Sequence, residues 1–236
     1  YLFAKGDFLS SVELGREIVR TWTARLGADH LQTLGANRRL AAALWAQGSY
    51  DEARELNRTT LERLRSTVGE DHEESLALAG LVAADLRVTG DFHESLELDR
   101  SVFEHSVRLY GRDDPASLTS GHNYSVSLRM NGRFAEAYEL DSKTTEIYLR
   151  TLRPASQLSL LAVNNVARDL RELGRFAESV DLQERTVAQY RQYYGDTHPH
   201  TLRAIKNLSV SCRKAGDRER GLELAREALE NYRAVL

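Results

Sequence analysis

Between Leu160 and Val187 the apolar residues fall on two helical stripes separated by a glycine. Leu160, Val163, Val166 with Ala167, Leu170 and Leu173 recur every three or four residues, which predicts one amphipathic helix. Gly174 ends it, because glycine takes the left-handed cap conformation without a Cβ penalty. Phe176 restarts the chain, and Ser179/Val180, Leu182/Gln183 and Thr186/Val187 form the stripe of a second helix that runs to Tyr194. Gly195 ends that helix. Asp196-Thr197-His198-Pro199 then leads onward, with Asp196 or His198 near the next cap and Pro199 suited to a first helical turn.

This pattern returns every 42 residues. Glycines stand at Gly6, Gly48, Gly90, Gly132, Gly174 and Gly216, and a second series at Gly27, Gly69, Gly111 and Gly195 misses only at Arg153. Leu34, Leu76, Leu118, Leu160 and Leu202 keep the same spacing, as do Leu14, Leu56, Leu98, Leu140, Leu182 and Leu224. Ala41, Ala83, Ser125, Ala167 and Ser209 form a row of small residues that lets two helices approach closely. A fixed period over the whole chain means stacked copies of one unit, and no strand alternation survives beside it. The expected fold is all-α, built of stacked antiparallel helix pairs. The pairs are placed at 31–67, 73–110, 115–152, 157–194 and 199–236, after a partial repeat at 1–26, as a single array. Both ends fall in mid-pattern, so a piece of a longer protein is expected. The linker Arg153-Pro154-Ala155-Ser156 lacks the glycine, which predicts a change of stacking between the third and fourth pairs. The Leu182 row is expected to lie buried between the helices of each pair.

Composition narrows the function. Lysine and arginine total 32 against 35 acidic residues, a net charge of −3, so no global basic field draws the chain to nucleic acid or to an acidic membrane. The longest apolar run, Leu40 to Ala46, falls far short of the ~20 residues of a membrane span. The single cysteine, Cys212, shares a row with Leu44, Leu86, Leu128 and Leu170 and reads as a small buried hydrophobe in a reducing, cytoplasmic setting. There is no G-x-x-x-x-G-K-[ST] loop and no H-E-x-x-H pair. His30, His72 and His198 share one linker row, and Asp196, His198 and His200 read as cap and loop residues in preference to a weak metal site. The chain is expected to be no enzyme and to carry no cofactor or metal.

Ala167, Gly174, Phe176 and Ser179 set a small residue, G-x-aromatic and a second small residue in one order. In this the chain resembles the tetratricopeptide repeat family, whose usual repeat is about 34 residues. The run Gly195 to Leu202, with Asn164-Asn165-Val166-Ala167 and Leu170-Arg171-Glu172-Leu173-Gly174, is similar to the long repeats of kinesin light chains and their bacterial relatives. The resemblance covers essentially the whole chain. It implies a right-handed αα-superhelix of five to six repeats whose first helices line a concave, peptide-holding groove. It also implies a bacterial array of the kind found beside STAND-type NTPase domains.

The face opposite the core stripe of the fourth pair holds Leu161, Asn164, Asn165, Arg168, Arg171 and Glu172. Its rows carry the candidate chemistry. Trp45, Arg87, Arg129, Arg171 and Arg213 form one row, so four arginines stand in register. Each offers a planar fork suited to a carboxylate or phosphate. Arg38, Gly80, His122, Asn164 and Lys206 form a second, and Arg39, Leu81, Asn123, Asn165 and Asn207 a third. An asparagine amide both donates to and accepts from an extended peptide backbone. Two structural roles stand equally open: the arginines can pack their stems and pair with Asp85, Asp169 or Glu172, and the asparagines can bridge helices. The functional expectation is a scaffold whose groove binds a protein or peptide with acidic groups or a C-terminal carboxylate. The alternative is a regulatory sensor or oligomerisation arm of a larger signalling or NTPase protein. Neither nucleic acid nor membrane is an expected partner, and uncapped ends leave self-association open.

Overall fold

The computed structural model describes residues 6–152 and 156–235, and among them the chain forms eleven α-helices and no strand. They are α1 (Phe8–Leu26), α2 (Leu31–Gln47), α3 (Tyr50–Val68), α4 (Glu73–Thr89), α5 (Phe92–Tyr110), α6 (Pro115–Met130), α7 (Phe134–Thr151), α8 (Gln157–Glu172), α9 (Phe176–Tyr194), α10 (Pro199–Lys214) and α11 (Arg218–Val235). The fold is all-α. The Arg153-Pro154-Ala155 linker, and with it the expected change of stacking, lies outside the described residues. The chain divides into two compact units, Tyr1–Asn123 and Tyr124–Leu236.

The even-numbered helices from α2 to α10 lead each pair and the odd-numbered ones from α3 to α11 trail it. The turn inside a pair needs a backbone that a side chain resists. At Gly174 φ is 78°, and the Arg175 N–H closes the end of α8 by donating to the Leu170 carbonyl at 2.9 Å. The turn between pairs uses a different device. The next leading helix begins under a side-chain cap: His30, His72 and His198 accept through Nδ1 from the backbone N–H two residues on, at 3.2, 3.2 and 3.3 Å. Asp114 does the same for α6 at 2.8 Å, and Ser156 accepts from Ser159 for α8 at 3.1 Å. The linker histidines are therefore helix caps.

In the second unit, α8 packs against α7, α9 and α10, and α10 against α9 and α11. Its core gathers Leu160, Val187, Tyr190, Leu202, Ile205, Leu208 and Cys212. Burying each large apolar side chain contributes roughly 1.5–3 kcal/mol. Cys212 packs as an apolar residue, and burial pushes its thiol above the usual range. In the first unit Leu34, Leu61, Leu64, Leu76, Leu78 and Val102 form one cluster, and Val12, Leu40, Leu44 and Ala53 another. The Leu34–Leu202 row is buried in all five copies.

Helices close on each other where both carry small residues. Ala167 and Ser179 are fully buried, and the Ser179 hydroxyl donates to the Ala167 carbonyl at 2.6 Å. At the same two rows of the last pair, a Cβ added to Gly221 would meet the Ser209 carbonyl oxygen at 2.9 Å.

The trailing helices differ from expectation. The row expected to be buried is only half covered: Leu56, Leu98, Leu140, Leu182 and Leu224 are all intermediate, and Leu14 is exposed. The innermost row lies one residue later and is polar: Asn57, Asp99, Asp141 and Gln183. One residue rotates a helix by about 100°, and the packed neighbours choose this rotation so that the small row, four residues earlier, faces the leading helix.

Candidate functional site

The polar row decides what the arginines do. Asp99 is buried and forms an ion pair with Arg87. Arg129 stands inside the second unit, its side chain 3% exposed. Its Nη1 donates to Asp141 on α7 at 2.6 Å and to Asp169 on α8 at 2.8 Å, both carboxylates being buried. Arg129 was expected on the groove face, but it joins three helices through one nitrogen. Two acids share one cation there. Burial, followed by the opposing attraction of Arg129 and the repulsion of Asp141, raises the Asp169 carboxyl to about 7. Its Oδ2 is buried with no hydrogen-bond partner.

Arg171 is differently placed. Its side chain is only 10% exposed, and its Nε and Nη2 donate to the neighbouring Glu172 at 3.3 and 3.0 Å. Its Nη1 is buried without an acceptor. Arg213 is exposed. Trp45, the aromatic member of this row, stacks edge-on against Tyr50 with ring centroids 4.9 Å apart.

The asparagines bridge helices within the second unit. Asn164 and Asn165 are buried, and Asn207 on α10 donates to the Asn164 side-chain oxygen at 3.4 Å. Asn123 is half-buried and lines a cleft of the first unit of about 780 Å³, which also takes in Leu76, Gly80, Leu81, Arg87 and Tyr110. Arg168 is exposed on α8, four residues from Asn164 and three from Arg171. Partial desolvation first, then repulsion from Arg129 and Arg171, lowers its pKa. Lys206 is exposed on α10 beside Asn207. Among the described residues the side chains of Arg168, Lys206 and Arg213 make no hydrogen bond or ion pair.

The outcome is a basic helix face in the second unit. Asn164, Arg168 and Arg171 share one side of α8, and Lys206, Val210 and Arg213 occupy the equivalent positions of α10. Helix α10 carries Arg203, Lys206, Arg213 and Lys214 and no acidic residue. Acids are more numerous on the trailing helices, Glu178, Asp181 and Glu184 on α9 and Glu219, Glu223, Glu227 and Glu230 on α11, while α8 carries Asp169 and Glu172. On the trailing helices they pair locally, as in Arg175–Glu178 at 2.6 Å and Arg220–Glu184 at 2.6 Å. Among the described residues no group of three or more histidine, cysteine, aspartate or glutamate side chains is arranged to hold a metal, and no helix is long and apolar enough to cross a membrane. Asp99 and Asp141 were the ion-pair partners that taking the leucine row as the buried one passed over.

The sequence profile described as Tetratricopeptide repeat matches residues 1–66 and 158–234. No curated protein matches the chain. Among solved structures the chain is similar to the TPR-like repeats of a kinesin-light-chain-type protein from Podosopora anserina, with 25% identity and a TM-score of 0.73 over 84% of this chain and 93% of that one. It is also similar in fold to BtubC (BKLC) from P. vanneervenii, with 18% identity and a TM-score of 0.71 over 97% and 89%. A Rap protein solved in complex with competence and sporulation factor shares the fold at 13% identity, with a TM-score of 0.66 over 94% and 63%. With the profile covering more than half of its length, the chain belongs to the tetratricopeptide repeat family.

Proposed function

We propose that the chain is a protein-interaction module whose second unit holds an acidic peptide segment on the exposed side of α8 and α10. The observation that carries this reading is the charge of that face. Helix α10 presents four cations and no acid, and Arg168 on α8 stands exposed with no ion pair among the described residues. Clustered cations repel, and an anionic ligand removes that repulsion. The Rap protein of like fold is itself solved in complex with a factor, which supports binding as the use of the scaffold. The face reads as a binding surface and not as a catalytic one. Its exposed cations are Arg168, Lys206 and Arg213, which hold anions, with Glu172 beside them on α8.

The test is titration of the protein with two blocked nonapeptides of Gly and Ser, one carrying three Glu and one carrying none. The acidic peptide should bind at least tenfold tighter, and raising the salt from about 0.05 to 0.5 M should erase most of that difference, because an exposed face is screened. Equal binding of both peptides at low salt overturns the reading.

A further inference from the structure

Asn37 on α2 is out of place in its row. The equivalent residues of the later pairs are Ala79, Gly121, Val163 and Ile205, all apolar or glycine. Ile205 is fully buried in the core of the second unit. The side-chain oxygen of Asn37 is also buried, and it has no hydrogen-bond partner. Thr60 on α3 presents a second case. It is fully buried, and its hydroxyl lacks a partner. Thr186 stands at the same position of α9 and turns its hydroxyl back onto the Leu182 carbonyl at 2.7 Å. A buried polar atom without a partner is unfavourable, so its retention calls for a group that satisfies it.

Asn37 and Thr60 line one cavity of the first unit, about 530 Å³ in volume. Its sides are the trailing helices α1 and α3, and α2 supplies the floor, so it does not belong to the leading-helix face. Val19, Leu40 and Leu56 give it apolar walls, and Glu52 and Glu55 stand exposed at its edge. Apolar walls with a few convergent polar groups are the makeup of a small-ligand pocket.

The charges around the cavity select the sign of the ligand. Arg63 lines it but gives its guanidinium to Asp29 at 2.9 Å. Glu52 is taken by Arg16 at 2.7 Å. The Glu55 carboxylate makes no hydrogen bond or ion pair among the described residues. An amide oxygen only accepts, and a hydroxyl accepts as well as donates. The unused groups are therefore acceptors, one of them anionic. An ammonium brings three donors and no acceptor, and an alkyl stem behind it suits the apolar walls.

We infer that this cavity is a binding site for a primary alkylammonium group, with Asn37 and Thr60 as its inner acceptors and Glu55 as its counter-charge. The group belongs either to a free organic amine or to a lysine side chain of a partner, which present the same head on the same kind of stem. The site is separate from the basic face of α8 and α10, has the opposite charge and does not depend on the acidic-peptide reading.

The test is a ¹H–¹⁵N NMR titration of the whole chain. The probes are n-butylamine, n-butanol and butyrate, and a blocked Gly-Lys-Gly peptide. Butylamine, charged at neutral pH, should give saturable shifts around Asn37, Glu55 and Thr60 with millimolar affinity, as befits so small a ligand. Butanol and butyrate should bind at least about tenfold more weakly, since neither brings a charge-assisted donor. Asn37→Leu and Thr60→Val keep the side-chain shape and remove the polar atom, and Glu55→Gln removes the charge. Each should lower butylamine affinity at least about threefold, the scale of one net hydrogen bond. Urea midpoints of Asn37→Leu and Thr60→Val should equal or exceed the parent's, which separates lost binding from damage to the fold. If either destabilises, Glu55→Gln at its exposed position decides the matter. Binding of the lysine peptide as tightly as butylamine assigns a partner's lysine, and binding of butylamine alone assigns a free amine. Butylamine binding no tighter than that of butanol, or undiminished in Asn37→Leu and Glu55→Gln, overturns the site. Preference for butyrate overturns it as well and gives the cavity to an anion.

Discussion

Replacing Arg129 by methionine tests the assignment of the inner arginines. Methionine fills much of the volume of the arginine stem, so packing is largely kept and the charge is what changes. The guanidinium is 3% exposed and bridges carboxylates that are 3% and 0% exposed. Without it, Asp141 and Asp169 face each other in the interior with no cation. Removing one partner of a buried charge cluster typically costs about 3–5 kcal/mol, because the remaining charge is left uncompensated. Part of that is relieved by protonation, since Asp169 already titrates near 7. The loss should therefore be largest at pH 8 and smaller at pH 5. The assay is urea unfolding followed by far-UV circular dichroism. With a slope of roughly 2 kcal/mol per molar urea, the midpoint at pH 8 should fall by roughly 1.5–2.5 M. The exposed Arg213→Met is the control and should shift stability by no more than about 0.5 kcal/mol. A second check follows from the same reasoning: adding Asp141→Leu and Asp169→Leu to Arg129→Met should recover most of the loss, since an apolar replacement of a whole buried cluster is close to neutral or stabilising. An Arg129→Met midpoint equal to the parent's at pH 8 refutes the argument.

The Asp169 carboxyl also gives the parent a pH dependence. Its folded pKa of about 7 lies above its unfolded value of 3.8, so the folded state binds the extra proton between those limits. This group's contribution to stability is therefore greatest below pH 4, falls by up to about 1.4 kcal/mol per pH unit as pH rises toward 7, and is flat above. Urea midpoints of Asp169→Asn should lack that slope, and a slope unchanged from the parent's would remove Asp169 as its source. Two leucines of the fourth pair should separate by burial. Leu160→Ala, at a fully buried position, should cost about 2–5 kcal/mol, and Leu182→Ala, at a half-covered one, no more than half as much. Equal losses in thermal or urea unfolding would contradict the observed rotation of α9.

The helices and their turns were legible because each rests on local chemistry. Gly174 ends α8 by its own backbone freedom, and His198 caps α10 from two residues away. The small row at Ala167 and Ser179 was likewise readable, because close approach admits little else. The arginine row was legible as a row but not as a site. Which side of α6 faces inward depends on the rotation of α7 and α8 against it, and those contacts are 12 and 40 residues away in sequence. The decisive signal was present all the same. Asn57, Asp99, Asp141 and Gln183 place a polar side chain at one position of four successive trailing helices, immediately after a leucine row. Isolated polar residues on a helix belong to solvent by default, but an unbroken polar row beside the apolar stripe marks an internal network. Of the two roles left open for the arginines, pairing with an internal acid such as Asp169 is the one Arg129 takes. Its second aspartate comes from the following pair, and its own pair has Ser127 where Asp169 later stands.

The central claim is a division of labour among the cations: Arg87 and Arg129 hold the fold, while the exposed side of α8 and α10 takes an acidic ligand. The measurement that bears on it most directly is the footprint of an acidic peptide in ¹H–¹⁵N NMR spectra of the whole chain. Saturable shifts confined to α8 and α10, around Arg168, Arg171, Lys206 and Arg213, with α9 and α11 unmoved, are what the charge distribution predicts. Shifts centred on the acidic trailing helices, or on the first-unit cleft around Gly80 and Asn123, would contradict it.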